Sequence, residues 1–137
     1  MVIVKEKSVG LAQVDEIAEQ YFGIKGIINL DRTDVAHTLK GENGLLIVAR
    51  QENEDNGTFL KSLFEWLVQR PGVKDSNCFL FYFGSPADHP LRMSDMNTVQ
   101  EFCGMLDGDE ADIIWGIFRR AEGEGMAAVV LCSKVQK

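Results

Sequence analysis

The run Cys78-Phe79-Leu80-Phe81-Tyr82-Phe83 constrains this chain more than any other. Six consecutive apolar or aromatic side chains leave neither face of a strand for water, so the run predicts a central strand. Leu45-Leu46-Ile47-Val48-Ala49, bounded by polar residues, predicts another strand buried on both faces. A chain of 137 residues can bury about two-thirds of its unfolded surface, enough to enclose such strands in one domain, 1–137, without staples.

Around these strands the period changes. Leu11, Val14, Ile17, Ala18, Tyr21 and Phe22 recur at three- and four-residue steps, which predicts a helix of about three turns. Ser8 is its expected N-cap, and Gly23 or Gly26 its end. Phe59, Leu60, Leu63, Phe64, Leu67 and Val68 make a broader stripe, started by Asn56 or Thr58 and stopped by Pro71-Gly72. Val99, Phe102, Cys103 and Leu106 make a third, capped by Ser94, with Asp95 at the positive end of its dipole. A short helix capped by Asp31, Thr33 or Asp34 is expected through Leu39, closed by Gly41 and Gly44. Val2-Ile3-Val4 reads as a short edge strand or arm, and Gly84 to Pro90 as a loop. Ile113–Phe118 and Met126–Cys132 are strands, and the link Ala121–Gly125 between them is short enough for a hairpin. The order predicts an α+β or α/β sandwich with a mixed four-stranded sheet.

The formal charge of −7 and a pI near 4.8 argue against nucleic acid or an anionic membrane as partner. Cys78, Cys103 and Cys132 lie far apart without a CxxC pair, so they read as structural thiols in a reducing compartment. The first residues, MVIVKEK, lack the apolar core of a signal peptide, and no run approaches the ~18–20 apolar residues of a membrane span. A cytoplasmic protein is expected.

The segment Gly26-Ile27-Ile28-Asn29-Leu30-Asp31-Arg32-Thr33-Asp34-Val35 sets one carboxamide and two carboxylates within six positions. These residue types also cap helices and form turns. As a functional loop, two neighbouring carboxylates can orient a water and take its proton, given a substrate brought to them. They cannot hold a phosphate unaided, because like charges repel. No GxxxxGK followed by Ser or Thr occurs, nor any glycine-rich turn directly between a strand and a helix, so no self-contained nucleotide site is expected. His37 and His89 have no second ligand at metal spacing; each reads as an exposed residue. The acidic set Asp107, Asp109, Glu110 and Asp112 lacks the calcium-loop pattern, and Arg119-Arg120 reads as a solvated strand end. No metal or cofactor is expected on this chain alone.

As a string, Gly26 to Val35 resembles the synergy loop of the FtsZ and tubulin-like family, which reads approximately G-L-I/M-N-L/V-D-F-A-D-V. Leu91-Arg92-Met93-Ser94-Asp95 resembles that family's L-R-L-D/S-E, and Thr98-Val99 its helix start. The resemblance covers about residues 8–134, as the end of the central helix (here an N-terminal arm and helix, 1–25), the loop (26–35) and the C-terminal α/β body (36–137). It departs in two ways: the N-terminal GTP-binding domain with its GGGTGTG signature has no counterpart, and Arg32-Thr33 replaces Phe-Ala.

The resemblance implies a two-layer sandwich of a mixed four-stranded sheet and helices. It also implies apolar surface on the first helix where the family's other domain would pack. In the family this loop enters the nucleotide pocket of the neighbouring subunit, where its acidic residues complete GTP hydrolysis. Carried over by position, Asn29, Asp31 and Asp34 match the family's contacting and water-activating residues, with Asp31 and Asp34 acting in trans on a partner's GTP. Together with the departing Arg32, a cation that could instead approach a phosphate, and Thr33 they make the expected interaction loop. The expected function is a non-enzymatic interaction module that caps or modulates an FtsZ-type filament. The alternative is a self-associating or small-ligand-binding domain.

Overall fold

The computed structural model describes residues 1–22, 26–28, 30–40, 43–105, 111–121 and 123–135, with the stretch 26–28 described by its backbone alone. The elements are β1 (Val2–Gly10), α1 (Val14–Tyr21), β2 (Gly26–Ile28), α2 (Arg32–Thr38), β3 (Asn43–Arg50), α3 (Asn56–Leu67), α4 (Pro71–Lys74), β4 (Cys78–Pro86), α5 (Met93–Met105), β5 (Asp112–Arg120) and β6 (Ala127–Ser133). One six-stranded sheet has the order β1-β3-β6-β4-β5-β2. β4 and β5 run parallel, and the other neighbours are antiparallel.

Successive side chains of a strand point to opposite faces, and here that alternation builds two cores. Phe79, Phe81 and Phe83 meet Ile47, Ala49, Ala128, Val130 and Cys132 under the apolar stripe of α3 and Val99 of α5. Leu80 and Tyr82 face the other way, with Leu46, Val129 and Leu131, under Val14 and Ile17 of α1 and Val35 of α2. All nine residues of β4 are buried. At about 1.5–3 kcal/mol for each large apolar side chain taken from water, this strand outweighs any surface pair in the molecule.

The expected α+β class and mixed sheet are present, with differences that have physical causes. Six strands stand where four were expected, because β1 and β2 add outer members to the sheet. β1 runs nine residues, not three: its backbone pairs along the whole of β3 although Lys5, Glu6, Lys7 and Ser8 are exposed. Ser8 therefore lies in a strand and caps nothing. The first helix begins with a 3-10 turn at Leu11–Gln13, where Gln13 Oε1 accepts the Gly10 N–H at 2.9 Å. Gly26–Ile28, expected within a loop, pairs with Phe118 and Ile117 of β5.

Asp55, not Asn56 or Thr58, caps α3 by accepting the Thr58 N–H at 2.7 Å. Pro71 opens the one-turn α4, where a missing N–H costs nothing. Ser94 lies inside α5; Asp95 instead reaches back to accept the Arg92 N–H at 2.9 Å. Helices cover both faces of the sheet rather than one, and the Leu11–Phe22 stripe is largely spent on that second face. Val14, Ile17 and Phe22 are buried, while Leu11 stays 42% exposed.

The expected hairpin of β5 and β6 is not formed. The two strands flank β4, which lies between them. Crossing it needs two ladder spacings, about 10 Å, and the link from Ala121 to Met126 reaches that easily. Gly123 and Gly125 supply the turn with φ of 83° and 71°, and Arg120 Nη1 donates to the carbonyls of Glu124 and Gly125 at 3.2 and 3.0 Å.

Gly84 to Pro86, expected as loop, continue β4 because Phe118 to Arg120 of β5 lie alongside. The Phe118 ring rests on Gly84, where an added Cβ would come within 2.2 Å of it. Gly84→Ala should therefore cost about 1–3 kcal/mol by overpacking. Gly104→Ala, on a helix position with nothing within 4 Å, should gain up to about 1 kcal/mol. Denaturant melts of the two variants check both signs.

Candidate functional site

The polar segment after β2 is organised by its own helix. Asp31 is the N-cap of α2, and its Oδ1 accepts the Asp34 N–H at 3.2 Å. Asp34 Oδ2 in turn accepts the Asp31 N–H at 3.0 Å. The two carboxylates sit at the positive end of the helix facing N–H groups, which offsets their mutual repulsion. Leu30, before the cap, and Val35, in the first full turn, are 6% and 0% exposed and belong to one apolar cluster. That is a hydrophobic staple fixing the angle at which the chain enters the helix.

The far end of α2 is fixed too. Thr38 Oγ1 donates to Asp34 O at 2.9 Å, and buried Ser133 of β6 donates to Thr38 O. Asp31, Arg32 and Thr33 remain exposed and Asp34 is half-buried. Each cap bond occupies one oxygen of a group that has two, so capping and presentation to a partner are compatible. Arg32 donates to Asp15 at the start of α1, so its guanidinium is directed at this chain's own acid. An exposed pair of that kind contributes only about 0–1 kcal/mol. Asn29 lies outside the described residues.

His37, also on α2, contacts Asp112 at the start of β5. His89 sits 3.2 Å from Asp88 in an exposed loop. Among the described residues no three His, Cys, Asp or Glu side chains converge as a metal site. Asp107, Asp109 and Glu110 of the expected acidic turn lie outside the described residues, as do Leu106 and Gly41. The three cysteines carry no disulfide. Burial pushes the Cys103 thiol up to about 11 and raises that of Cys132 as well, so neither is an activated nucleophile.

Sequence reasoning missed a polar cleft of about 600 Å³ beyond the carboxyl ends of β3 and β4, lined in part by Gln51, Asp55, Asn56, His89, Arg92 and Asp95. Its side chains are largely committed to holding elements together. Gln51 Oε1 accepts the Met126 N–H at 2.8 Å while its amide donates to Asn56 Oδ1 at 3.2 Å. Asn56 Nδ2 donates to the His89 and Pro90 carbonyls at 3.0 and 3.3 Å. No local motif announces this network, because its members come from four segments.

A mixed sheet flanked by helices on both faces, with an acidic capped helix end at one side, defines an α+β domain. Solved structures of FtsZ, TubZ and CetZ1 share this fold over part of their length. FtsZ from M. jannaschii, described as an empty dimer, superposes with a TM-score of 0.57 at 22% identity, over 82% of this chain and 33% of that one. TubZ from Bacillus thuringiensis serovar israelensis, in a GTPγS-form protofilament, gives 0.65 at 15% identity, over 92% and 34%. GDP-bound CetZ1 from Haloferax volcanii gives 0.51 at 16%, over 79% and 34%. This chain thus spans about a third of the length of the solved chains it matches. No family profile and no curated protein matches it. No helix among the described residues is long and apolar enough to cross a membrane.

Two measurements test the capping scheme. Asp31→Ala should lower stability by about 1 kcal/mol, and Asp31→Asn by only a few tenths, since Asn keeps the accepting oxygen; thermal melts read the difference. The bonds from Thr58 hold the Asp55 carboxyl below its usual 3.8. A carboxylate depressed in the folded state contributes stability in full above its unfolded value and loses it as pH falls through the folded one. The stability gap between wild type and Asp55→Ala should therefore be widest at neutral pH and shrink below about pH 4.

Proposed function

We propose that this chain is an interaction module for an FtsZ-type filament protein, and that the exposed start of α2 is the part it presents. The observation that carries the reading is the reciprocal capping of Asp31 and Asp34 on a surface helix end, stapled below by Leu30 and Val35. A partner meets carboxylates already held in place, so little ordering cost remains at docking. The string resemblance to the synergy loop and the fold shared with FtsZ and TubZ support the same face as the contact.

On this reading the GTP belongs to the partner and this chain is not itself an enzyme. Asp31 and Asp34 approach the partner's γ-phosphate region and orient a water there, as general-base carboxylates do. Arg32, directed at Asp15, does not reach for phosphate unless that pair opens. Contact without a productive water position would instead cap the filament end.

The test mixes this protein with a full-length FtsZ-type GTPase and follows GTP turnover and sedimented polymer. A change in either is expected, and the reading fails if both stay as they were. Asp34→Asn keeps the cap acceptor but removes the charge. It should abolish any stimulation of turnover by at least about tenfold and spare simple capping.

A further inference from the structure

The polar cleft beyond the carboxyl ends of β3 and β4, about 600 Å³ in volume, holds one charge that its own network does not answer. Two of its acids are spoken for within the chain. Glu54 pairs with the Met1 amino group at 2.7 Å, and Asp88 lies 3.2 Å from His89 Nδ1. Asp95 is different. It lines the cleft and is only 8% exposed. Its Oδ2 accepts the Arg92 N–H at 2.9 Å, while Oδ1 opens to the cleft without a hydrogen-bond partner among the described residues. Nor does any described cation form an ion pair with it: Arg92 gives it a backbone N–H and is itself an exposed residue. An aspartate this deeply buried is ordinarily paired with a positive group.

Asp55 brings a second oxygen to the same place. A Cβ added at Gly57, in the first turn of α3, would lie 3.5 Å from Asp95 Oδ1 and 3.6 Å from Asp55 Oδ1. The absent side chain keeps open a space on which both carboxylates border. Asp55 Oδ1 accepts the Thr58 N–H, and an ionised carboxyl has about four acceptor sites, so both groups keep capacity for a donor.

We propose that this cleft binds the ammonium group of an aliphatic amine, held by Asp95 with Asp55 beside it. An ammonium has three N–H donors and no acceptor, which suits a buried, unpaired carboxylate with a second one nearby. Calcium or magnesium requires about six or more oxygen ligands, and among the described residues no three His, Cys, Asp or Glu side chains converge as a metal site. An anion is repelled: α3 and α5 both begin at the cleft, but Asp55 and Asp95 already occupy those positive helix ends. The volume admits an alkyl stem behind the charged head, so a free amine and a lysine side chain of another protein present the same chemistry. No residue of α2 takes part, so this site and the proposed filament contact fail separately.

An NMR titration of the isotope-labelled full chain tests the site with two probes, putrescine and a lysine whose backbone termini are both blocked. At least one should give saturable amide shifts centred on residues 55–58 and 92–96, and the tighter of the two identifies the source of the amine. Asp95→Asn keeps an oxygen for the Arg92 N–H but removes the charge. It should weaken binding by at least about tenfold with unchanged circular dichroism. Gly57→Ala places a methyl in ordinary contact with both carboxylates, so it should fold as stably as wild type and also bind more weakly. Glu101→Gln, which removes an exposed acid elsewhere on α5, should leave binding unchanged. Absence of saturation by both probes, or Asp95→Asn or Gly57→Ala binding as tightly as wild type, would overturn the proposal. So would equal weakening by Glu101→Gln, because binding would then follow the formal charge of −7 and not the cleft.

Discussion

Burial of β4 on both of its faces is the constraint on which the remaining structure depends. Three phenylalanines on one side and Leu80 with Tyr82 on the other cannot be satisfied by a single layer of helices. The chain covers the first face with α3 and α5 and the second with α1 and α2. Strands are needed along both edges of β4 as well, since each buried backbone N–H or C=O left without a partner costs free energy comparable to a lost hydrogen bond. β6 takes one edge and β5 the other. The loss of a local hairpin follows directly: two strands joined by a short link are held apart by the strand that needs them both.

The same demand positions the candidate site. α2 exists as a surface helix because Val35 and Leu39 close the second core over Tyr82 and Leu131. Its first turn consequently emerges at the rim, where the Asp31 and Asp34 carboxylates are oriented by backbone N–H groups and not by solvent. A short helix of this kind would be unstable alone. Capping at one end, the Ser133 bond at the other and the staple beneath convert it into a fixed element of the surface. Stiffness at the site is thus borrowed from the core, which is why a polar segment can be both exposed and well placed.

Much of the site was legible from local pattern. Asp31 and Asp34 were identifiable as cap residues, and both cap the start of α2. The helical stripes of α1, α3 and α5 followed from spacing alone. Less legible were the partners of those residues. Nothing near Arg32 points to Asp15, nothing near His37 points to Asp112, and the Gln51–Asn56–Met126 network joins segments far apart in sequence. The expected caps at Ser8 and Ser94 were misplaced for different reasons: Ser8 is taken into β1 by pairing with β3, and Ser94 falls inside α5, where Asp95 reaches back to the Arg92 N–H.

By itself the sequence determined which apolar segments must be buried and where two carboxylates stand within four positions, because side-chain period and cap chemistry are local properties. The order of strands, the extra edges contributed by β1 and β2, and the second helical layer were decided only in three dimensions. Strand pairing is made by backbone groups that every residue carries alike, so no residue type records which neighbour it will meet. That choice falls to the arrangement that buries β4 completely.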